Sequence, residues 1–276
     1  MAAEKKLRVF QPKDYESEFD PEAYLHFYYS SKSLDDGTRL SLFALPMFAH
    51  MIRARVPEEK RQSLIDVGAG PTVYSAISFR EIVKRVYLTD YVDKSLTMLD
   101  DWMTQRTLFS WEKAIRVIAR TEGTHIGTEK DVNAIEEQAR KVVEAGGIYK
   151  ADVRKPEVVL PTDGLPAPVD QLFDVMVSVF CLESACATHD EYVESLNNML
   201  RLLRPGGYFV LGSVIDDVIY NSGLSLVGDS KLFSLLNLNE EFIEDTLVAA
   251  GMNISTLHKY SLSNDGVAFF LIAKNE

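Results

Sequence analysis

Cysteine, long apolar runs and positive charge are scarce in this sequence. Cys181 and Cys186 are the two cysteines in 276 residues, and a pair so close in sequence cannot form a disulfide framework. With His189 they also lack the ligands of a closed zinc site, so core thiols are expected instead of a metal. The most apolar stretch, residues 40–52, is too short to cross a bilayer and contains Pro46. Because the N-terminus lacks the apolar segment of a secretory signal, we expect a cytoplasmic protein without membrane contact.

The charge balance of the chain is acidic. It carries 29 Lys and Arg residues against 41 Asp and Glu, a formal net charge of −12 at pH 7. Proteins that bind nucleic acid need clustered positive charge to neutralise phosphates, so no nucleic-acid partner is expected. Apolar residues make up 46% and charged residues 25% of the chain, as in soluble globular proteins. The length suits one main domain, residues 61–276, with an N-terminal extension, residues 1–60. A monomer is expected, although no sequence feature specifies the oligomeric state.

Short apolar runs alternate with helical patterns along the chain, which predicts an α/β fold. Five runs are separated by segments long enough to cross over and predict a parallel sheet, whereas the last two, joined by six residues, predict an antiparallel hairpin. The nearly continuous apolar run at 172–180 indicates a strand with helices on both faces. Helices are expected near 93–106 and 129–145, and a proline-rich loop at 155–170. The predicted strands span residues 63–67, 85–89, 148–153, 172–180, 207–214, 254–260 and 267–274.

The segment LIDVGAGPTVYS, residues 64–75, places two glycines between the first strand and a helical pattern. Gly68 and Gly70 allow a tight turn and let backbone N–H groups approach a ligand of the nucleoside type. The third glycine of the dinucleotide fingerprint is missing, and Pro71 removes an N–H that could face a pyrophosphate. For these residues alone, a tight turn without a ligand is the alternative.

Three aspartates lie in or at the ends of the first three predicted strands. Asp90 ends the second strand twenty residues after Gly70, where a carboxylate can accept hydrogen bonds from both hydroxyls of a ribose. Capping of a helix that begins near Asp93 is the alternative. Asp152 closes the third strand and can meet the amino group of an adenine. Because open α/β sheets bind ligands at the carboxyl ends of their strands, Asp66, Asp90 and Asp152 are predicted to converge in one crevice.

Several segments, in order along the chain, resemble one known family. FDPEAYLHFYY, LIDVGAGPTVY, TDYVDKSL, SVFCLESAC and LRPGGYFVLGSV are similar to segments of the small-molecule N-methyltransferases, which include nicotinamide, phenylethanolamine, indolethylamine and thioether methyltransferases. The resemblance extends from about Phe19 to Lys274. It implies a class I methyltransferase fold, with a Rossmann-like, doubly wound sheet and an N-terminal helical lid over residues 1–60. It also implies S-adenosyl-L-methionine as methyl donor and S-adenosyl-L-homocysteine as product.

The resemblance implies which residues contact the donor. Ala69 and Ser95 depart from the family, which often has Ser and Asn there; serine can still bond a hydroxyl, and contacts in the glycine turn are largely through backbone. The N-terminal aromatic residues imply a lid that excludes water during methyl transfer. From their density alone, an apolar helix face docked on the domain is the alternative. The implied donor contacts are Tyr24, Tyr29, Gly68, Ala69, Gly70, Tyr74, Asp90, Tyr91, Ser95, Asp152, Val153 and Ala185.

The acceptor site is predicted from two acidic residues. An alkyl amine has a pKa near that of lysine, about 10, so it needs a carboxylate to bind its ammonium form and remove the proton. Glu183 follows the fourth strand and Asp217 the fifth, and both match acidic residues of the phenylethanolamine branch, as Tyr220 matches an acceptor-site tyrosine. These two carboxylates are the predicted catalytic residues; a helix cap and a solvated loop are the alternatives. Ser213, where the nicotinamide branch has Asp, and Tyr28 complete the predicted acceptor site.

The sequence therefore predicts an S-adenosyl-L-methionine-dependent N-methyltransferase for a small amine or an aromatic nitrogen, and the acidic residues favour a phenylethanolamine-like amine. Methylation of nicotinamide or a related pyridine is the alternative within the family. An inactive donor-binding sensor is the alternative from another class, and the missing third glycine and the closing hairpin disfavour a nicotinamide-dependent dehydrogenase. Asp265, in the hairpin turn, is a further candidate for negative charge at the mouth of the pocket.

Overall fold

The structure is a computed structural model, described over residues 8–37, 39–161, 172–224, 230–262 and 266–276. Asp265 and the part of the predicted proline-rich loop that begins at residue 162 lie outside the described residues. Within the described ranges, none of the helices combines the length and the hydropathy needed to cross a bilayer.

A seven-stranded sheet forms the centre of the fold. The strands of the described ranges are β1 (Val9–Phe10), β2 (Ser63–Val67), β3 (Arg85–Asp90), β4 (Gly147–Lys150), β5 (Phe173–Val179), β6 (Leu203–Val214), β7 (Ile219–Leu224), β8 (Ser230–Ser234), β9 (Met252–Leu262) and β10 (Val267–Lys274). The central sheet has the order β4-β3-β2-β5-β6-β10-β9. Its first five strands are parallel, and β10 is antiparallel to both β6 and β9. The predicted α/β fold with a parallel sheet and a closing hairpin is confirmed.

Helices cover the sheet and form most of the N-terminal region. They are α1 (Tyr15–Glu18), α2 (Pro21–Tyr29), α3 (Ser31–Asp36), α4 (Ser41–Arg55), α5 (Tyr74–Phe79), α6 (Asp93–Met103), α7 (Glu112–Thr121), α8 (Glu129–Gly146), α9 (Leu182–Ala185), α10 (His189–Leu200) and α11 (Glu240–Ala249). Local sequence explains several of their starts. Pro21 is the first residue of α2 and the Asp20 carboxylate caps it, while Thr128 and Asp131 form a reciprocal cap on α8.

The apolar side chains form one core on each face of the central sheet. In β5, Val175 and Val177 enter one cluster and Met176 enters the other, because successive side chains of a strand point to opposite faces. Helices α4, α5, α7 and α8 contribute buried residues to the first cluster, and α10 and α11 to the second. This burial on both faces explains the continuous apolar run of the fifth strand.

Four elements have boundaries that differ from the sequence prediction by more than one residue. β4 ends at Lys150, because the chain turns there and Ala151 pairs antiparallel with Val159. β6 begins at residue 203, β9 spans 252–262 and α6 ends at residue 103. Helix α7, which was not predicted, lies in the long connection between β3 and β4.

A second, three-stranded sheet covers the carboxyl edge of the central sheet. Its order is β1-β8-β7, so the N-terminal strand pairs with a hairpin from the segment after β6. Helix α2 packs against β7 at Gly223, where a Cβ atom would lie 2.5 Å from the Ala23 carbonyl oxygen. We call β1, α1, α2, β7 and β8 the cap. The cap thus combines elements from within residues 1–60, the predicted lid, with β7 and β8 from later in the chain. Helix α4 also lies within residues 1–60, but it packs in the main core through Leu42, Leu45 and Phe48.

Candidate active site

The glycine turn after β2 is tied to the end of β3. Gly68 and Ala69 both donate their N–H groups to the Thr89 carbonyl oxygen at 2.9 Å. Gly70 donates to Asp90 Oδ2 at 2.7 Å. These three N–H groups already have hydrogen-bond partners within the protein. The turn therefore provides room for a ligand and does not provide these N–H groups as free donors. At Gly68, with φ +79°, a Cβ atom would overlap with Cys181 Sγ and lie 2.6 Å from Cys181 Cβ.

Asp90 and Asp152 lie at the carboxyl edge of the sheet and line one cavity. Asp90 Oδ1 accepts the Val92 N–H at 2.8 Å, and burial raises the pKa of this carboxyl to about 6 despite its hydrogen bonds. Burial also acts to raise the pKa of Asp152, but the Arg154 guanidinium, 2.9 Å away, holds it below its usual value. Each carboxylate therefore has structural partners and an exposed edge toward the cavity.

Asp66 lies below the cavity and does not line it. Its Oδ2 accepts the Ser75 hydroxyl, and burial raises the pKa of Asp66 to about 7. Of the three aspartates predicted to converge in one crevice, Asp90 and Asp152 therefore line the cavity and Asp66 does not. Ser95 is likewise fully buried, beside Asp90, and its hydroxyl acts to lower the pKa of that residue.

The first cavity extends from the glycine turn to the cap and has an empty volume of about 840 Å³. Its walls are mostly aromatic and aliphatic, with Asp90 and the Asp152–Arg154 pair at one end. The Arg154 guanidinium stacks 4.9 Å from the Tyr91 ring centroid, which fixes both side chains. The predicted residues that line this cavity are Tyr24, Gly68, Ala69, Gly70, Tyr74, Asp90, Tyr91, Asp152, Val153, Ala185 and Tyr220.

Two tyrosines close the cap over the first cavity. The Tyr15 hydroxyl lies 2.6 Å from the Tyr220 hydroxyl, which joins α1 to β7 across the roof. Burial raises the pKa of both phenols above the usual value, so both stay protonated at neutral pH. Phe19 and Phe233 pack against these tyrosines in a small aromatic cluster. The cap therefore covers this cavity mainly with aromatic surface.

A second cavity adjoins the first and is lined by the cap, the start of α4 and the ends of β6 and β10. Its empty volume is about 1320 Å³. Tyr24, Phe180, Ser184 and Tyr220 line both cavities. The remaining lining residues are Tyr28, Tyr29, Gly37, Arg39, Leu40, Ser41, Val214, Leu235 and Val267.

Predicted residues Tyr28 and Tyr29 line the second cavity and not the first. The Tyr28 hydroxyl donates to the Asn221 carbonyl oxygen at 2.7 Å, which holds α2 against β7. The Tyr29 ring lies 5.6 Å from the Tyr74 ring, so it stands at the boundary between the two cavities. The second cavity is therefore lined by Tyr28 and Tyr29 of α2, the helix whose Tyr24 lines both cavities.

The three polar residues predicted at the acceptor site do not line either cavity. Glu183 is fully buried behind the shared wall: Oε1 accepts the Val214 N–H at 2.7 Å, Oε2 has no hydrogen-bond partner in the described ranges, and burial raises its pKa to about 7. Ser213 is fully buried as well, with its hydroxyl on the Val214 carbonyl oxygen. Asp217 is exposed and accepts the backbone N–H groups of Val218 and Ile219.

Several cavity residues escaped the sequence analysis. Tyr15 lies in the predicted helical lid and Ser184 directly follows Glu183, but nothing in the sequence indicates that either side chain lines a cavity. Phe180 has a left-handed backbone, φ +58°, which is rare for an aromatic residue and marks sites where the chain is forced. Arg39 follows a helix end without any motif around it. Only the position of Phe180, directly after an apolar strand, could have indicated a site.

Comparison with known proteins identifies the relatives of this chain. The model of the NNMT/PNMT/TEMT family matches residues 7–276. Human nicotinamide N-methyltransferase is 30% identical over 276 residues, which cover 96% of each chain. Nicotinamide N-methyltransferase of Caenorhabditis elegans is 28% identical over 261 residues, 95% of this chain and 90% of the relative.

Solved structures support the fold. An S-adenosylmethionine-dependent methyltransferase from Clostridium acetobutylicum superposes with a TM-score of 0.55 and 9% identity, covering 92% of this chain and 98% of that one. At this identity the similarity concerns the architecture, which is that of class I methyltransferases.

Proposed function

This chain belongs to the NNMT/PNMT/TEMT family and is an S-adenosyl-L-methionine-dependent N-methyltransferase; we propose that it methylates a ring nitrogen of a small aromatic acceptor. The donor occupies the first cavity and the acceptor the second. The shared wall of Tyr24, Phe180, Ser184 and Tyr220 supports this placement, and the observation that carries the choice of a ring nitrogen is that none of the described lining residues of the second cavity is acidic. A donor held in the first cavity would present its methyl group at these residues to an acceptor nitrogen in the second cavity, and the sulfur would leave as the neutral thioether of S-adenosyl-L-homocysteine.

The residues of the first cavity fit the donor. Each carboxylate oxygen of Asp90 has one backbone N–H partner and a further lone pair, so both remain able to accept a ribose hydroxyl. The missing side chain at Gly68 leaves room against Cys181. The aromatic faces of Tyr24 and Tyr74 suit a cation. When bound, the donor supplies an electrophilic methyl group on a sulfonium sulfur.

The chain contributes orientation and exclusion of water to the reaction. The cap covers the donor end, and Tyr24 and Phe180 fix the line along which the acceptor nitrogen approaches. A neutral ring nitrogen carries a free lone pair at neutral pH and needs no general base. When water is removed from the reacting groups, fixed dipoles of the protein surround them in place of mobile solvent. Covalent catalysis is not required.

The lining of the second cavity favours a ring nitrogen over an alkyl amine. An ammonium group needs a carboxylate, and none of the described lining residues carries one. Glu183 lies behind the wall and Asp217 on an exposed loop. An amine of the phenylethanolamine type is the second candidate, since the near-neutral pKa of Glu183 would let it exchange a proton if the wall opened.

The pH profile of turnover tests the proposal. Pyridine-3-carboxamide and a phenylethanolamine are offered as acceptors between pH 7 and pH 9, and formation of S-adenosyl-L-homocysteine is measured. We expect turnover of the pyridine to stay flat, because its nitrogen is unprotonated throughout. Turnover of the amine should rise about tenfold per pH unit, as the free base accumulates below its pKa of about 10. Turnover confined to the amine would overturn the proposal.

We further propose that the enzyme acts as a monomer in the cytoplasm, without nucleic acid or membrane as partner. The net charge of −12 supports the absence of a nucleic-acid partner. The two free cysteines support a reducing compartment. Light scattering behind a sizing column tests the monomer, and a mass twice that of the chain would contradict it.

A further inference from the structure

Arg39 lines the second cavity, and only the Nε atom of its guanidinium group has a hydrogen-bond partner among the described residues. The side chain is half-buried, and its Nε donates to the Tyr28 carbonyl oxygen at 3.0 Å. The guanidinium carbon lies 5.2 Å from the Tyr28 ring centroid, so the group is stacked and held in place. In the described parts of the chain, neither terminal nitrogen has a hydrogen-bond or ion-pair partner. A fixed guanidinium with both terminal nitrogens free matches the two oxygens of a carboxylate.

The surroundings leave the charge of Arg39 uncompensated. The other described lining residues of the second cavity are aromatic, aliphatic, hydroxyl-bearing or glycine, so Arg39 is the one charged group among them. The N-terminus of α4, which begins directly after Leu40, adds partial positive charge on the same side. Arg39 does not line the first cavity. This arrangement repels a cationic acceptor and attracts an anionic one.

We propose that the acceptor carries a carboxylate, which Arg39 binds through its two terminal nitrogens while the ring nitrogen faces the shared wall. The chemical class is a small heteroaromatic acid, such as a pyridine carboxylate. The inference rests on the proposed function and deepens it, since it names the group that orients the acceptor. The methionine carboxylate of the donor is the other source of the same chemistry, and the position of Arg39 outside the first cavity favours the acceptor.

The experiment compares two acceptors of the same shape and different charge. Pyridine-3-carboxylate and pyridine-3-carboxamide are assayed with the wild type, Arg39→Gln and Arg39→Lys. Arg53→Gln, which removes an exposed arginine of α4 paired with Glu81, is the matched control. We expect the wild type to prefer the carboxylate and Arg39→Gln to lower its kcat/KM by about 10- to 100-fold, the range for a charged hydrogen-bonded pair. The carboxamide should change less than about threefold, and Arg39→Lys should restore part of the preference.

Two binding measurements separate the possible failures. Affinity for S-adenosyl-L-homocysteine should be the same in the wild type and Arg39→Gln, and a loss there would assign Arg39 to the donor and overturn the proposal. Benzoate and benzamide, which have no ring nitrogen, are titrated into the complex with S-adenosyl-L-homocysteine. Benzoate should bind more tightly than benzamide to the wild type and to Arg53→Gln, which keep Arg39, and this difference should disappear in Arg39→Gln. If neither pyridine is methylated, the proposed function fails, and the benzoate comparison still decides the role of Arg39. Equal binding of both would overturn it.

Discussion

Asp90 joins the glycine turn to Val92, the residue before α6, through a single carboxylate. One oxygen accepts the Gly70 N–H and the other the Val92 N–H, so the group shapes the cavity before a ligand is bound. The same oxygens are our candidates for the ribose hydroxyls. Structural and binding roles therefore meet in one side chain, and its replacement should affect affinity more than a surface aspartate would.

Asp90→Asn should weaken binding of S-adenosyl-L-homocysteine. The amide group would place an NH₂ against one of the two backbone N–H groups and would offer a ribose one acceptor in place of two. We expect a loss of about 10- to 100-fold in affinity, which corresponds to about one charged hydrogen bond. Titration calorimetry measures it, with Asp101→Asn, in an exposed pair with Arg106, as the control. Unchanged affinity would remove Asp90 from the proposed donor site.

The two glycines of the turn should respond differently to alanine. Both have a left-handed backbone, but a Cβ atom at Gly70 would have nothing within 4 Å, whereas one at Gly68 would overlap with Cys181. Gly70→Ala should cost about 1 kcal/mol of unfolding free energy through backbone strain alone. Gly68→Ala should cost about 2–3 kcal/mol more, because the overlap is with the half-buried Cys181 side chain close to its backbone, which cannot move away freely. Urea denaturation compares the two, and equal losses would contradict the asymmetry.

At the scale of elements, the cap is the part that sequence reasoning identified least completely. The five parallel strands and the hairpin could be predicted because each strand is a local apolar run. β1 has two residues, and its partner β8 lies more than two hundred residues later, so no local pattern marks the pairing. Helix α7 was missed because its apolar face belongs to a connection that looked like a long insertion. The pairing of distant short strands depends on tertiary packing.

The candidate site shows the same division between local and distant signals. The glycine turn and Asp90 could be located because parallel strands bring their carboxyl ends to one edge. Glu183 follows β5 and Asp217 follows β6, as the sequence indicates, but neither side chain lines a cavity, because Glu183 is buried and Asp217 is exposed. Arg39 carried no signal, since an isolated arginine after a short helix is usually a surface residue.

The Tyr15–Tyr220 pair holds the two parts of the cap together. Each single change, Tyr15→Phe or Tyr220→Phe, leaves one half-buried hydroxyl without this partner and should lower the unfolding free energy by about 1 kcal/mol or more. The double variant removes both hydroxyls and should lose less than the sum of the two single losses. A double-mutant cycle with urea denaturation measures the coupling. Strictly additive losses would show that the two hydroxyls do not stabilise each other.

At the scale of the whole molecule, buried acids make stability depend on pH. Burial raises the pKa of Asp66 and Glu183 to about 7 and that of Asp90 to about 6. The folded protein therefore keeps protons that the unfolded chain releases near pH 4. Stability from these groups is complete below the unfolded pKa values and is lost as the pH rises through the folded ones. The contribution of these three groups should thus make the unfolding free energy of the free enzyme lower at pH 8 than at pH 5.5.

Glu183→Gln isolates one of these contributions. Glutamine is neutral at every pH and its carbonyl oxygen can still accept the Val214 N–H, so the variant should resemble the wild type at pH 5. At pH 8.5 the wild type must bury a charge, and the variant should be more stable by on the order of 2–3 kcal/mol, since one pKa unit is about 1.4 kcal/mol. Urea denaturation at both pH values measures the difference, with Glu112→Gln on α7 as the exposed control. Asp66 and Asp90 are unchanged in the variant and cancel in the comparison. A Glu183→Gln variant less stable by the same amount at both pH values would mean that the carboxylate is paired in the folded protein, and the buried-acid explanation would then fail.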